Sequence, residues 1–352
     1  MKFLIVAAKT GGHVFPASVI AESLVKKNHE VIFVGTGTEI EKNAYKDIES
    51  KTYNILIEGF RGRSFINKLK VIYQTFINIF ILIRIIRENE VDAMIGFGGF
   101  VTVPAGIACW LKRKPIFLHE QNAVLGSANK LLSRVSAINF LGFPIKGIKK
   151  SVLSGNPIRN AFNDNYISDI STKDESIRIY ITGGSQGSEY INTTVPLIFK
   201  EIPYDLKIKH QCGKNKATKV KELYELDDIN AEVNEFYKCP NEQILWSDFV
   251  ISRAGAISLS EITSLKRGLV IIPLPTSIDN HQLKNAQSIE KINMGILHEQ
   301  KEDLAKLTEK VEKIISNKVF FKWKNAENIA HKDSTKVIIE NIEGFFKENE
   351  TI

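Results

Sequence analysis

Two apolar strands that each run directly into a glycine-rich turn constrain this chain more than any other feature. Phe3–Ala8 is followed by Thr10-Gly11-Gly12-His13, and Ile177–Thr182 is followed by Gly183-Gly184-Ser185-Gln186-Gly187. Such a turn presents backbone N–H groups and a helix N-terminus to an anion, with no side chain in the way. The pair predicts two nucleotide-binding-type halves that face one cleft, in which a phosphorylated donor lies.

The composition is that of a folded, basic chain. Its 352 residues suit two domains at the usual size of roughly 150 residues each. The net charge of +7 suits an anionic partner. Three cysteines without a CxxC pair predict reduced thiols in a cytosolic compartment. The most apolar window, Val71–Ile86, contains Gln74, Asn78 and Arg84, which predicts a segment too short and too polar to span a bilayer.

Short β-branched runs alternate with helical patterns, which is typical of βαβ units and a parallel sheet. Helices are predicted after the two glycine turns, at Val14–Asn28 and Tyr190–Glu201, and again at Ser334–Lys347. The predicted strands are Phe3–Ala8, Val31–Gly35, Ala93–Gly96, Pro115–His119, Ala137–Phe140, Ile177–Thr182, Leu206–Gln211, Ala231–Phe236, Phe249–Ser252 and Gly268–Ile272.

The boundary between the halves is predicted near Gly155-Asn156-Pro157-Ile158-Arg159, with a polar linker behind it at Asn163–Glu175. These signals divide the chain into one α/β domain at 1–160 and another at 161–333.

Three segments of the first half follow predicted strands and carry chemistry. His13 projects from the first turn, where an imidazole can act as a general base or bind a substrate; a capping or packing histidine is the alternative. Gly96-Phe97-Gly98-Gly99-Phe100 suits a second phosphorylated substrate or, equally, tight helix–sheet packing. His119-Glu120-Gln121-Asn122 is predicted to point into the same crevice.

The second half offers groups suited to a nucleotide. Ser185 supplies a hydroxyl at a helix start. Arg253 follows a predicted strand and can offset phosphate charge, and Glu261, in the helix after it, can accept both hydroxyls of a ribose. The alternatives are a purely structural turn and a capped helix with a solvent-facing Glu261. Asp279-Asn280-His281-Gln282 forms a polar cluster on a loop, a usual place for ligand contacts.

No metal or cofactor is predicted. His119 has no second histidine at zinc-ligand spacing, and the sequence has no Asp-x-Asp pair for a magnesium diphosphate. Helix termini and arginine would therefore stabilise a leaving diphosphate.

Two apolar segments carry cations at their margins. Phe65–Arg87 and Trp110-Leu111-Lys112-Arg113-Lys114 suit an anionic membrane surface, although a core helix with snorkelling ends gives the same pattern. Nucleic acid is not predicted as a partner, because aromatic residues at base-stacking spacing are missing.

In combination, these segments resemble the MurG family, which belongs to the GT-B glycosyltransferases of family 28. The resemblance covers nearly the whole chain. The motifs that match in order and spacing are Thr10-Gly11-Gly12-His13-Val14-Phe15-Pro16, Gly96–Phe100, His119-Glu120-Gln121-Asn122, Gly155-Asn156-Pro157-Ile158-Arg159, Gly183–Gly187, His210-Gln211-Cys212-Gly213-Lys214 and Arg253–Glu261.

This resemblance implies a fold, a reaction and a location. The fold would be α/β GT-B, two Rossmann-like domains facing a cleft, with a C-terminal helix at 334–352 packing back on the first. The reaction would be a metal-independent, inverting transfer of N-acetylglucosamine from UDP-N-acetylglucosamine (UDP-GlcNAc) to the 4-hydroxyl of lipid I, giving lipid II for peptidoglycan. The enzyme would be peripheral, on the cytoplasmic face of the inner membrane.

The resemblance also implies the binding residues, with the donor mainly in the C-terminal half and the lipid-linked acceptor in the N-terminal half. His13 would be the base or orient the acceptor, and Glu261 would hold the ribose. Donor contacts carry over to Thr10, Gly11, Gly12, Asn122, Arg159, Ser185, Tyr237, Ala256, Ile257, Ser258, Leu259, Ser260, Glu261 and Gln282. Phosphate and acceptor candidates are Lys9, Gly98, Gly99, His119, Glu120 and Arg253.

The chain departs from the family pattern in two places. Ala8 and Lys9 stand where the family usually has two glycines, and Phe100 stands where many members have tyrosine. We expect Lys9 to add a cation near the acceptor diphosphate.

Three other functions are weighed against this one. The nearest is another GT-B enzyme that uses a UDP-sugar, such as a glycolipid glycosyltransferase or a UDP-GlcNAc 2-epimerase. A NAD-dependent dehydrogenase would need Gly-x-Gly-x-x-Gly, which neither turn provides. A non-catalytic membrane protein would leave the polar segments unexplained.

Overall fold

The computed structural model describes residues 1–59, 64–162, 176–326 and 331–350, with the backbone alone at 65–68 and 350. The linker predicted at Asn163–Glu175 lies outside these ranges. The chain divides into two compact units, Met1–Arg159 with Ala330–Ile352, and Asn160–Ile329. Each unit is a parallel α/β domain, which confirms the predicted fold class.

The described part of the first unit is built on a seven-stranded parallel sheet. Its strands are β1 (Lys2–Val6), β2 (Glu30–Gly35), β3 (Lys51–Asn54), β4 (Ala93–Gly96), β5 (Ile116–Glu120), β6 (Ile138–Leu141) and β7 (Ser151–Leu153). They pair in the order β3-β2-β1-β4-β5-β6-β7. The edge strands β3 and β7 are not predicted by the sequence, because they are mostly exposed and lack the continuous apolar run of an interior strand.

The described part of the second unit is built on a six-stranded parallel sheet. Its strands are β8 (Ile177–Thr182), β9 (Leu206–Gln211), β10 (Ala231–Asn234), β11 (Phe249–Ser252), β12 (Gly268–Ile271) and β13 (Gly295–Leu297). They pair in the order β10-β9-β8-β11-β12-β13. The sequence analysis also fails to predict the edge strand β13, because three residues are too few to show a strand's hydrophobic pattern.

Helices connect the strands of both units. They are α1 (Gly11–Lys26), α2 (Glu39–Tyr45), α3 (Phe65–Glu88), α4 (Thr102–Leu111), α5 (Ser127–Leu132), α6 (Glu189–Ile198), α7 (Ala217–Glu225), α8 (Pro240–Trp246), α9 (Ala256–Ser264), α10 (His281–Lys291), α11 (Leu304–Ser316), α12 (Val319–Trp323) and α13 (Ser334–Glu350).

Buried side chains cover both faces of the first sheet, as a parallel sheet requires. On one face, Phe3 packs in a cluster with Val14 of α1 and Ile338 of α13. On the other, Leu4 packs in a cluster with Leu82 of α3 and residues of α4. The last helix is therefore part of the first unit's core.

The first six strands of each sheet have the same doubly wound order, and this order places the candidate site. From β1 the chain moves outward through β2 and β3 and then returns to β4 on the opposite side of β1. The loops after β1 and β4 therefore diverge and open a crevice at the carboxyl edge of the sheet. The loops after β8 and β11 do the same in the second unit. The two glycine-rich segments follow β1 and β8, directly at these switch points.

Candidate active site

The first glycine segment is built differently from the predicted turn. Gly11 and Gly12 are the first two residues of α1, and the left-handed residue is Lys9, with a φ of 68°. The Thr10 carbonyl accepts the amides of His13 and Val14, each at 3.0 Å. The prediction of a helix from Val14 was therefore wrong by one turn, and the glycines place their N–H groups in the first turn of a helix, where such groups point out of its end.

His13 joins the loops that follow β1 and β4. Its Nδ1 lies 3.2 Å from Thr10 Oγ1. The ring lies over Gly98 and Gly99, whose φ values are 88° and 78°; a Cβ at Gly98 would come within 3.4 Å of His13 Nε2. Because both glycines lack side chains, the imidazole lies directly on the backbone of the second loop.

The two positions that depart from the family pattern meet in the structure. Lys9 Nζ lies 4.8 Å from the centroid of the Phe100 ring, within cation–π range. Lys9 is exposed, and Phe100 directly follows Gly98 and Gly99. An exposed positive charge therefore lies beside this loop.

His119 and Glu120 do not point into a crevice, so that part of the prediction was wrong. His119 is fully buried; its Nε2 lies 3.1 Å from the Gly155 carbonyl and its Nδ1 lies 3.0 Å from Gln121 Nε2. Burial lowers the pKa of His119 to about 4, so the ring is neutral.

Glu120 is buried as well. Its carboxylate accepts the Asn122 amide at 3.1 Å, the Gly126 amide at 2.8 Å and Asn129 Nδ2 at 3.0 Å. Burial raises the pKa of Glu120, and these donors oppose that shift. Both residues shape the loop that carries Asn122, which is itself half-buried.

Arg159 lies near the start of α1. Its guanidinium carbon is 5.4 Å from the centroid of the Phe15 ring, and the residue is half-buried. The structure thus brings Arg159 to the same helix that begins with Gly11 and Gly12.

The second unit contains a cleft of about 680 Å³ at its switch point. Predicted residues from distant parts of the sequence meet there, including Ser185, Arg253, Ser258 and Gln282. The full lining is Thr182, Gly183, Gly184, Ser185, Gln186, Gly187, Ser188, Glu189, Tyr190, Ser252, Arg253, Gly255, Ser258, Leu274, Pro275, Thr276, Gln282 and Gln300.

The glycine turn of this cleft has the conformation that glycine favours. Gly184 and Gly187 have φ values of 84° and 69°. The helix start is capped by Ser188, whose Oγ accepts the Ile191 amide at 3.3 Å. The predicted role of Ser185 at the helix start was therefore wrong, because Ser185 stays exposed in the turn. Ser185 lines the cleft instead of capping α6.

Arg253 places a fixed positive charge in the cleft wall. Its Nη1 donates to the carbonyls of Ile272 and Pro273 at 3.1 and 3.2 Å, and to Gln300 Oε1 at 2.6 Å. Burial lowers the pKa of Arg253, but an arginine starts so high that it remains charged. The guanidinium is thus held in place before any ligand arrives.

The segment Ala256–Glu261 forms the first part of α9, and its side chains have different environments. Ser258 lines the cleft. Leu259 and Ser260 are fully buried, and the Ser260 hydroxyl donates to the Ala256 carbonyl at 2.9 Å. Glu261 is only 5% exposed, which excludes the alternative of a solvent-facing carboxylate.

Gln282 and Tyr237 already have protein partners. Gln282 Oε1 accepts the Leu274 amide at 2.9 Å at the cleft edge. Tyr237 donates its amide to Gln211 Oε1 at 3.2 Å and its hydroxyl to Glu232 at 2.9 Å. Tyr237 does not line the cleft described above.

Several lining residues were missed by the sequence. Tyr190 was predicted only as part of a helix, and Leu274 and Pro275 were not singled out at all. No sequence pattern marked Gln300 as a site residue. It is brought to Arg253 by the preceding strand β13, which the sequence also failed to predict. Among the described residues, no group of three His, Cys, Asp or Glu side chains could hold a metal ion.

Two doubly wound parallel domains in one chain, one of which carries a glycine-lined cleft with a fixed arginine, define a GT-B glycosyltransferase. Family models agree along the chain. Residues 3–138 match the glycosyltransferase family 28 N-terminal domain, and residues 178–342 match its C-terminal domain. The chain belongs to glycosyltransferase family 28 and, by the relatives below, to its MurG branch.

Those relatives cover nearly the full length. A Neisseria gonorrhoeae protein named UDP-N-acetylglucosamine–N-acetylmuramyl-(pentapeptide) pyrophosphoryl-undecaprenol N-acetylglucosamine transferase is 32% identical over 333 residues, 93% of this chain and 94% of that protein. A protein of the same name from Ectopseudomonas mendocina is 32% identical and covers 96% of each chain. The crystal structure of Acinetobacter baumannii MurG matches with a TM-score of 0.83 and 28% identity, over 97% of this chain and 99% of that one.

Proposed function

We propose that this enzyme transfers N-acetylglucosamine from UDP-GlcNAc to the 4-hydroxyl of the MurNAc sugar of lipid I, which yields lipid II and UDP for peptidoglycan synthesis. The observation that carries the proposal is the second unit's cleft, in which a glycine turn, a helix start and a fixed arginine meet. Relatives at 32% identity over almost the whole chain bear the name of this reaction.

The donor binds in this cleft. Its diphosphate lies against the amides of Gly183–Gly187 and the Ser185 hydroxyl, with the Arg253 charge nearby. Glu261 holds the ribose. The other proposed donor contacts are Tyr237, Ala256, Ile257, Ser258 and Gln282 in the second unit, and Thr10, Gly11, Gly12, Asn122 and Arg159 in the first. Leu259 and Ser260 are fully buried, so they support α9 behind the site and are not proposed to touch the donor.

The chemistry is a direct displacement. The acceptor's 4-hydroxyl oxygen attacks the anomeric carbon of the donor sugar with inversion, and the bond to UDP breaks with its electron pair on the diphosphate. His13 takes the hydroxyl proton or orients that hydroxyl. Gly98, Gly99 and Lys9 bind the acceptor's diphosphate, whereas the buried His119 and Glu120 are assigned to shaping the adjacent loop.

The first unit also carries an exposed apolar stripe on α3. Ile72, Tyr73, Phe76 and Phe80 follow helical spacing and are each more than half exposed. The stretch Leu69–Glu88 is long and apolar enough to cross a membrane by length and composition, so the prediction that this region is too short and too polar was wrong.

We propose that α3 lies on the membrane surface. One face of the helix, including Leu82 and Ile86, is buried in the first unit's core, which a helix surrounded by lipid would not be. Trp110 and Leu111 at the end of α4 are exposed as well, and Lys112 and Arg113 follow them. Apolar side chains rimmed by cations suit an anionic bilayer on the cytoplasmic face of the inner membrane.

The decisive experiment follows radiolabel from UDP-GlcNAc to a lipid I analogue in EDTA. We expect label in a lipid product and release of UDP in equal amounts. Labelled product that forms only when a divalent metal is restored would contradict the metal-independent mechanism. Conversion of UDP-GlcNAc without any acceptor would instead favour the epimerase alternative.

Membrane binding is tested with sedimented vesicles. The Phe76→Asp/Phe80→Asp variant should lose binding to vesicles containing phosphatidylglycerol but keep transfer to a detergent-solubilised acceptor. Leu226→Asp, which adds a charge at an exposed apolar residue of the second unit, is the matched control.

A further inference from the structure

A buried carboxylate on α2 fastens the loop that precedes α1. Glu41 is 2% exposed. Its Oε1 accepts the Lys9 amide and the Thr36 hydroxyl, each at 2.9 Å, and its Oε2 accepts the amides of Thr36 and Gly37, each at 2.8 Å. Burial opposes ionisation, but these donors outweigh it and hold the pKa of Glu41 below its usual range. An ionised carboxylate thus joins the carboxyl ends of β1 and β2.

The glycine at position 35 makes room for the Glu41 carboxylate. A Cβ added to Gly35, the last residue of β2, would collide with Glu41 Oε2. Gly35 therefore makes the space that Glu41 occupies.

One of the three amides that donate to Glu41 belongs to a residue in an unfavourable conformation. Lys9 has a φ of 68°. This left-handed value is unfavourable for every residue type except glycine, because a Cβ atom causes steric strain there. The next residue, Thr10, accepts the His13 amide through its carbonyl and lies 3.2 Å from the His13 ring through its hydroxyl. A continuous path of bonds thus leads from Glu41 through Lys9 and Thr10 to His13.

We propose that Glu41 is a positioning residue for His13. Its carboxylate holds Lys9 in the left-handed conformation and so places the start of α1, with the imidazole, on the Gly98–Gly99 loop. This inference rests on the proposed transferase function, because its main readout is transfer to the acceptor.

The test compares Glu41→Gln with the wild type. A glutamine keeps the shape but cannot accept all four hydrogen bonds, since its NH₂ group is a donor. We expect kcat/KM for the lipid I analogue to fall about tenfold, as displacement of a reacting group does, with an unchanged affinity for UDP. Rates are expressed per UDP-binding molecule, which removes any loss of folded protein. Gly35→Ala should reproduce the effect, because it displaces the same carboxylate.

Asp92→Asn is the matched control. Asp92 Oδ2 accepts the Lys2 amide at 2.8 Å. This contact lies at the amino ends of β1 and β4, whereas the α1 loop follows the carboxyl end of β1. Removing this charge perturbs the domain without touching the α1 loop. An equal loss in Asp92→Asn, or wild-type acceptor kinetics in Glu41→Gln, would overturn the proposal.

Lys9→Gly supplies a rescue. Glycine adopts a φ of 68° without help, so Glu41→Gln should cost less in the Lys9→Gly background than in the wild type. Equal costs would contradict a role for Glu41 in holding Lys9.

The two proposals fail in different ways. Absence of transfer by the wild type would reject the proposed function. The placement of His13 is still tested then by the NMR signals of its imidazole, which should shift in Glu41→Gln and not in Asp92→Asn.

Discussion

The loops after β1 and β8 occupy equivalent positions in two sheets whose first six strands have the same order, yet they obtain their conformations differently. In the second unit the left-handed residues are Gly184 and Gly187, so the residue type itself permits the turn. In the first unit the left-handed residue is Lys9, and the nearby glycines belong to a helix. The carboxylate of Glu41 holds that loop from another helix. One loop is encoded locally, and the other is imposed by tertiary contacts.

The difference matters for chemistry. A glycine turn leaves bare amides and suits a diphosphate that needs many N–H donors. A held lysine adds a charge and a precise start to α1, which suits the placement of an imidazole. We therefore expect substitutions in the second loop to affect UDP binding most. Substitutions around the first loop should affect transfer to the acceptor most, although Thr10, Gly11 and Gly12 are also proposed to touch the donor.

The largest effect is predicted for Gly187→Ala. The added Cβ would strike the carbonyl of Cys212, a backbone atom that cannot move aside, and the φ of 69° is unfavourable for alanine. We expect the free energy of unfolding to fall by about 3 kcal/mol and UDP binding to be lost, measured by denaturant unfolding and calorimetry. Gly184→Ala is the control, since no atom lies within 4 Å of its Cβ, and only the backbone cost of about 1 kcal/mol should remain. Equal effects at both positions would show that collision with Cys212 is unimportant.

Removing the proposed ribose contact comes next. Glu261→Gln should weaken UDP-GlcNAc binding by about 10- to 100-fold, the loss of one charge-assisted hydrogen-bonding group. The KM of the acceptor should stay unchanged. Calorimetric titration gives the donor affinity, and a wild-type value would remove Glu261 from the ribose site.

Acid should destabilise both units, because each contains a buried histidine that is neutral in the folded protein and must be protonated at low pH. Burial lowers the pKa of His210 to about 3 and that of His119 to about 4, against 6.5 when unfolded. The unfolded chain therefore binds more protons below pH 6.5, and stability is lost as the pH falls from 6.5 toward these values. Each histidine contributes at most about 1.4 kcal/mol per pH unit. The raised pKa of Glu120 acts in the opposite direction in the first unit.

Urea unfolding at pH 5, 6 and 7 measures this loss. The His210→Asn variant should show a shallower dependence on pH than the wild type. Identical slopes would mean that His210 is not the group that resists protonation.

The smallest effect is predicted for Lys9→Gly. Relief of the left-handed strain should stabilise the folded protein by about 1 kcal/mol, while loss of the ammonium weakens capture of the acceptor at low salt. Thermal unfolding and acceptor KM at two salt concentrations test both parts. Unchanged acceptor affinity at low salt would exclude Lys9 from the acceptor's diphosphate site.

Sequence patterns were enough to predict those parts of the structure whose conformation depends on a few neighbouring residues. The apolar strands and the glycine turn at Gly183–Gly187 were predicted correctly because burial and φ preference act within a few residues. The burial of His119 and Glu120 was not predicted, because polar residues at the end of a strand usually indicate a ligand-binding site. Their partners Gly155 and Asn129 lie on other segments that only folding brings near.

By itself, the sequence determined two doubly wound domains and the position of a glycine-rich loop at the switch point of each, because alternating strand and helix patterns leave few ways to bury the apolar residues. Only the tertiary structure decided that Lys9 takes the left-handed conformation, that Gln300 steadies Arg253 and that Glu41 lies beneath the first loop. Each of these depends on hydrogen bonds between residues more than 20 positions apart, which no local preference can specify.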